Sequence, residues 1–152
     1  LLHAEFVAAL GHELRPLNLP IMLETNGQRP ADLRTVLSAV DLIAADFKLD
    51  STMDRPVDPE ARLEFLRLAL HRRLFVKMVL TDAVAPDELE RACRQIASLD
   101  SACPVFLQPV TPVVQGIRPP GESELLRLAA CASRHLRYVR VMPQVHGMLG
   151  LR

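Results

Sequence analysis

Two hydrophobic periods alternate along this chain. Short apolar, β-branched runs are candidates for strands: Pro20–Glu24, Asp41–Lys48, Leu74–Leu80, Pro104–Pro109 and Tyr138–Met142. Between them lie stretches whose apolar residues recur at three and four, the spacing that places them on one face of a helix. Leu2, Phe6, Leu10 and Leu14 make the first stripe. Leu63, Leu66 and Leu70 make a later one, followed by Leu89, Cys93 and Ile96, and then by Leu125, Ala129 and Ala132. Each stripe is expected to be the buried face of its helix. A short helix over about Ala31–Leu37 fits after Asn26-Gly27. Pro86 followed by Asp87 and Glu88 reads as a first helical turn with acids at its positive end, and Glu122 with Glu124 repeats the pattern.

The strand runs begin 21, 33, 30 and 34 residues apart, the length a strand, a helix and its crossover occupy. Strands that alternate with helices argue for a parallel sheet with right-handed crossovers. The fold class is therefore α/β, as a barrel or an open doubly wound sheet. In both, function gathers where strands end at their C-terminal edge.

Those ends carry the chemistry. Glu24-Thr25-Asn26-Gly27 closes the first run, Asp46-Phe47-Lys48 the second, Gln108-Pro109-Val110-Thr111 the fourth and Pro143-Gln144-Val145-His146 the last. Lys77 lies inside the third. Ionisable groups at one edge of an apolar sheet cost free energy unless they bind something. Glu24 suits an ammonium group and Lys48 a carboxylate, while the amides of Asn26 and Gln108 suit hydroxyls or ring nitrogens. An amino-acid-bearing nucleotide satisfies all of them. Each residue also has a plainer reading: Asn26-Gly27 as a turn, Asp46 with Lys48 as an ion pair, Gln108-Pro109 as a strand stop, His146 as a surface histidine.

Composition narrows the partners. The chain has 152 residues, 49% of them hydrophobic, with 18 basic and 18 acidic side chains, so no charge excess advertises nucleic acid or an anionic membrane. No apolar run reaches the roughly 20 residues a membrane span needs, and no cleavable leader opens the chain, which points to the cytoplasm. Cys93, Cys103 and Cys131 are an odd, widely spaced set that reads as buried thiols in a reducing compartment. The chain opens at Leu1, inside an amphipathic pattern, which suggests a piece of a longer protein with an apolar edge left exposed.

The motifs resemble a known family. Leu23-Glu24-Thr25-Asn26-Gly27 followed by Asp41-Leu42-Ile43-Ala44-Ala45-Asp46-Phe47-Lys48-Leu49 is similar to the third and fourth strands of radical S-adenosylmethionine (SAM) enzymes. Gln108-Pro109-Val110-Thr111-Pro112 fits the same group, and Arg140-Val141-Met142-Pro143-Gln144-Val145-His146 with Leu149-Gly150 resembles the closing segment of the 7-carboxy-7-deazaguanine synthases. The resemblance implies that residues 1–152 are the C-terminal part of one partial (βα)-barrel of the radical SAM type, lacking its N-terminal strands. It implies S-adenosylmethionine contacts from Glu24, Thr25, Asn26, Asp46, Lys48, Gln108 and Thr111, and substrate contacts from Gln144 and His146.

The reaction implied is the conversion of 6-carboxy-5,6,7,8-tetrahydropterin to 7-carboxy-7-deazaguanine on the route to queuosine, with a 4Fe-4S cluster and magnesium in the full-length enzyme, expected to be a homodimer. The family's cysteine loop and Gly-Gly-Glu-Pro segment are not in this sequence, so the chain alone is expected to be inactive. Gly147 also stands where the family often has a lysine. Two rivals are a glycyl-radical activating enzyme, whose strand ends are close relatives, and a non-catalytic barrel remnant that binds through its open edge. The tail favours the synthase.

Overall fold

In a computed structural model, which describes residues 1–53, 57–111 and 116–144, each apolar run becomes a strand and each 3.6-period stretch a helix. The strands are β1 Met22–Thr25, β2 Leu42–Asp46, β3 Arg73–Leu80, β4 Val105–Pro109 and β5 Val139–Val141. The helices are α1 Ala4–Leu14, α2 Pro30–Val36, α3 Pro59–Ala69, α4 Pro86–Asp100 and α5 Glu122–Ser133. The five parallel strands form one sheet in chain order, β1-β2-β3-β4-β5, and a helix lies between each strand and the next. This is the expected α/β architecture, consistent with a partial barrel.

The chain divides into two compact units: Leu1–Phe47 with Val57–Val76, and Lys48–Pro56 with Lys77–Arg152. In the first, Leu33 and Val36 of α2, Ile43 of β2 and Phe65 of α3 are wholly buried. Asp58 opens α3 by accepting from the amides of Glu60 (2.9 Å) and Ala61 (3.4 Å), with Pro59 at the first helical position where no amide is needed. The guanidinium of Arg62, although buried, lies 4.1 Å from the Phe47 ring centre, where the ring face attracts the cation.

In this unit two helical stripes differ from the sequence expectation. On α3 the buried face runs through Phe65, Leu66 and Ala69, so it is rotated from Leu63 and Leu70. On α1 the stripe Leu2, Phe6, Leu10 and Leu14 is exposed, Leu2 at 76% and Phe6 at 67%. The face that packs is centred on Gly11, where an added Cβ would come within 2.8 Å of the Ala39 carbonyl oxygen and Cβ. The absence of a side chain there lets α1 lie close on the 3₁₀ turn Leu37–Ala39. Helix α1 thus has two apolar faces, and the described residues cover the smaller one.

In the second unit α4 keeps its sequence-read stripe and α5 does not. Helix α4 buries Leu89, Ala92, Cys93 and Ile96 and sets Asp87 and Glu88 in its first turn, as expected. On helix α5 the buried face runs through Leu128, Cys131 and Ala132, so it is rotated from the expected Leu125 and Ala129, which are half-buried. Met78 and Leu80 of β3 and Val105 and Leu107 of β4 complete that core.

Candidate functional site

In the first unit, strand alternation sorts β1 cleanly: Leu23 and Thr25 are buried, while Met22 and Glu24 face the other side and are exposed. Glu24 pairs with Ala44 of β2, and Asp46 follows two residues later on the face of Ala44. The turn after β1 is tightly determined. Gly27 has φ +67, and a Cβ on it would meet the Asp46 carbonyl oxygen at 2.9 Å. Its amide donates to the Thr25 hydroxyl at 3.4 Å. The Thr25 side chain is therefore committed to the turn beneath Asn26, and Asn26 itself is exposed at the tip. The unit thus gathers Glu24, Asn26 and Asp46 at the C-terminal end of β1 and β2.

In the second unit, Lys48 stands two residues beyond β2, which ends at Asp46 instead of extending to Lys48. Leu49 is buried next to it and a 3₁₀ turn follows, Asp50–Thr52. That turn is tied down where the Ser51 amide donates to Glu88 Oε1 at 2.9 Å and the Thr52 hydroxyl donates to the Leu49 carbonyl at 2.7 Å. Glu24, Asp46 and Lys48 each have an interaction partner. Gln108 is half-buried and shares with Phe106 the face of β4 opposite the buried Val105 and Leu107. The Thr111 amide donates to Gln144 Oε1 at 2.8 Å, joining the segments that follow β4 and β5. The Met142 amide reinforces this by donating to the Leu107 carbonyl at 2.9 Å. His146 lies outside the described residues.

Sequence reasoning quoted Arg140 in the closing motif but gave it no role of its own. It pairs with Phe106 across β4 and β5, and so shares the face that carries Gln108. Its signal in the sequence was a charge at the centre of the apolar run Tyr138–Met142.

The thiols are inert. Burial pushes Cys93 and Cys103 up to about 12 and raises Cys131 as well, and all three are free. Cys93 lies in α4, Cys131 in α5 and Cys103 just before β4, an arrangement unsuited to a shared metal. Among the described residues no group of three His, Cys, Asp or Glu side chains is placed to hold a metal ion. No helix among them is long and apolar enough to cross a membrane.

No protein-family model matches the chain. It is 38% identical over 135 residues to a 7-carboxy-7-deazaguanine synthase of Geobacter sulfurreducens, an alignment covering 88% of this chain and 53% of the relative. It is 29% identical over 137 residues to one from Methanopyrus kandleri, covering 90% of this chain and 50% of that relative. The chain therefore spans about half the length of the curated relatives it matches. Its fold is similar to a solved domain of pyruvate-formate lyase-activating enzyme from Bacteroides vulgatus, with TM-score 0.75 at 19% identity, covering 93% of this chain and 92% of that one.

Proposed function

We propose, from the homology of this chain to the 7-carboxy-7-deazaguanine synthases, that it supplies the cofactor-binding strand ends of such an enzyme. The complete enzyme would convert 6-carboxy-5,6,7,8-tetrahydropterin to 7-carboxy-7-deazaguanine, toward queuosine and related deazapurines. The observation that carries the reading is the turn after β1. An exposed carboxylate, Glu24, stands beside Asn26 on a backbone that only glycine at position 27 allows. A carboxylate held there suits the ammonium group of S-adenosylmethionine, and the Asn26 amide suits a hydroxyl or ring nitrogen.

In the second unit, Lys48 suits the cofactor's carboxylate, and Gln108 and Thr111 add hydrogen-bonding groups. The Gln144 bridge to Thr111 fixes where the tail leaves the sheet, and Gln144 and His146 are assigned to the substrate. When bound, S-adenosylmethionine and a reduced 4Fe-4S cluster supply the radical; these side chains orient the reactants and exclude water. The described residues fit the first of these groups and not the second. Cys93, Cys103 and Cys131 are buried, protonated and dispersed, so the cluster ligands would come from elsewhere in the complete enzyme. Buried free thiols suit a reducing compartment, and a cytoplasmic homodimer is the state proposed for the whole enzyme.

The activating-enzyme reading draws on the resemblance of the strand ends and on a fold likeness at 19% identity. The test is anaerobic incubation of the complete enzyme with S-adenosylmethionine, reductant and carboxytetrahydropterin, followed by mass spectrometry. The expected product is 7-carboxy-7-deazaguanine; a reconstituted enzyme that cleaves the cofactor but leaves the pterin intact would refute the assignment.

A further inference from the structure

Among the described residues, thiols aside, the buried polar or charged side chains are Thr25, 7% exposed, and Arg62, 8% exposed, and both belong to the first unit. The Thr25 hydroxyl accepts from the Gly27 amide and so serves the turn after β1. Arg62 has no place in the functional reading above. It stands one turn into α3, and its guanidinium lies 4.1 Å from the centre of the Phe47 ring, itself only 2% exposed. Phe47 directly follows Asp46, the last residue of β2. Three residues further along α3, the wholly buried Phe65 reaches the β1 turn: a Cβ on Gly27 would lie 3.8 Å from its Cδ1 and 2.9 Å from the Asp46 carbonyl oxygen. Residues three apart share a helix face, so one face of α3 underlies both strand ends that carry Glu24, Asn26 and Asp46. A guanidinium held out of water is costly, and an apolar side chain of similar volume would fill the space without that penalty. What the guanidinium adds is direction. It is flat and always charged, and its attraction to the ring face fixes the ring and the backbone that carries it.

We propose that Arg62 is a positioning residue for the cofactor: through Phe47 it holds the end of β2, so that Asp46 and the turn at Gly27 stay in place beside Glu24. The inference rests on the proposed function and adds to it a residue that touches no ligand. The plainer alternative is that Arg62 only fills the core, in which case its loss would lower stability and leave the affinity of the folded protein alone.

The experiment uses the complete enzyme and reads the Kd of S-adenosylmethionine by calorimetric titration, with thermal unfolding to establish that each variant is folded. Arg62→Met, which keeps much of the volume and loses the charge, should raise that Kd roughly 5- to 30-fold, the factor a desolvated contact between a cation and a ring is worth. The Kd of carboxytetrahydropterin should stay nearly unchanged, since its contacts are assigned to the tail. Arg62→Lys should recover part of the loss, because an ammonium is also drawn to a ring face but cannot stack flat on it. Phe47→Leu should weaken cofactor binding to a similar degree, and the double variant no more than the stronger single one, because both changes break the same contact. Unchanged cofactor affinity in folded Arg62→Met would overturn the proposal. So would an equal loss for cofactor and pterin, or additive effects in the double variant. If Arg62→Met does not fold, Arg62→Lys and Phe47→Leu decide the matter, and wild-type cofactor affinity in both would overturn it. A wild type that binds no S-adenosylmethionine brings down the functional reading and this assignment with it; a wild type that binds it no more tightly than the variants brings down the assignment alone.

Discussion

The ends of β1 and β4 are fixed by opposite means. After β1 the constraint is local: two residues after Thr25, Gly27 turns back on its hydroxyl and meets the Asp46 carbonyl at a distance no side chain would permit. After β4 it is remote, because Thr111 is held by Gln144, 33 residues away. The first end is a rigid cradle with its polar groups displayed around it. The second depends on β5 being in place, so whatever loosens β5 also frees the loop that follows Gln108. A local constraint should be expensive to violate, and a single bridging hydrogen bond should be cheap.

The largest expected effect is accordingly Gly27→Ala. The left-handed backbone costs a β-carbon about 1–2 kcal/mol, and overpacking against a backbone oxygen adds about 1–3 kcal/mol. Denaturant unfolding should therefore show a loss of about 2–5 kcal/mol; under about 1 kcal/mol would mean that the turn is not fixed locally at all. Next comes His146→Ala in the complete enzyme, where loss of one substrate-positioning contact should slow turnover by ~10²-fold with cofactor affinity nearly unchanged. Unaltered turnover would remove the tail from the site and with it a main reason to prefer the synthase.

A smaller change is expected for Gln144→Ala, about 1 kcal/mol in unfolding, since one backbone donor is released toward water. Gln144→Glu, which keeps an acceptor for the Thr111 amide, should restore most of it. A Gln144→Ala loss as large as that of Gly27→Ala would erase the contrast between the two ends.

The smallest expected effect is reaction of the thiols. With Cys93 and Cys103 pushed up to about 12, folded protein should hardly react with a thiol reagent at pH 8, and unfolding should release the reaction. The linkage has a definite sign. A raised folded pKa stabilises nothing below the ordinary thiol value of about 8.5, but the unfolded thiols ionise above it. Stability should therefore fall as pH rises from there toward about 12. Fast labelling of the native protein would contradict the burial of both residues.

How legible was this in the sequence? Existence and order of the strands were, because a near-continuous apolar run between helix-period stretches has few other solutions. The β1 turn was too, since Asn26-Gly27 advertises positive φ by residue type alone. The fate of the apolar stripes was less so. The stripe Leu89, Cys93 and Ile96 on α4 is buried as read, whereas Leu2, Phe6 and Leu10 on α1 are exposed. A period of 3.6 reveals an apolar face but not what covers it, and the small-residue face at Gly11 gave a weaker signal than the leucines opposite. The start of α3 at Pro59 was missed because Asp58-Pro59 lies before the first apolar repeat. The Gln144 bridge could not be read at all, because nothing local links residues that far apart. Arg140 was visible as a charge within a strand, but its face became clear only from its register with Phe106.

Calorimetric titration of the complete enzyme with S-adenosylmethionine and, separately, with carboxytetrahydropterin, comparing wild type with Glu24→Gln, tests most directly whether the β1 cradle is a cofactor site. The substitution keeps the shape and removes the charge facing the ammonium group, so cofactor binding should weaken by about 1.5–3 kcal/mol while pterin binding stays put. Equal weakening of both ligands, or of neither, would show that Glu24 serves the fold and not the cofactor.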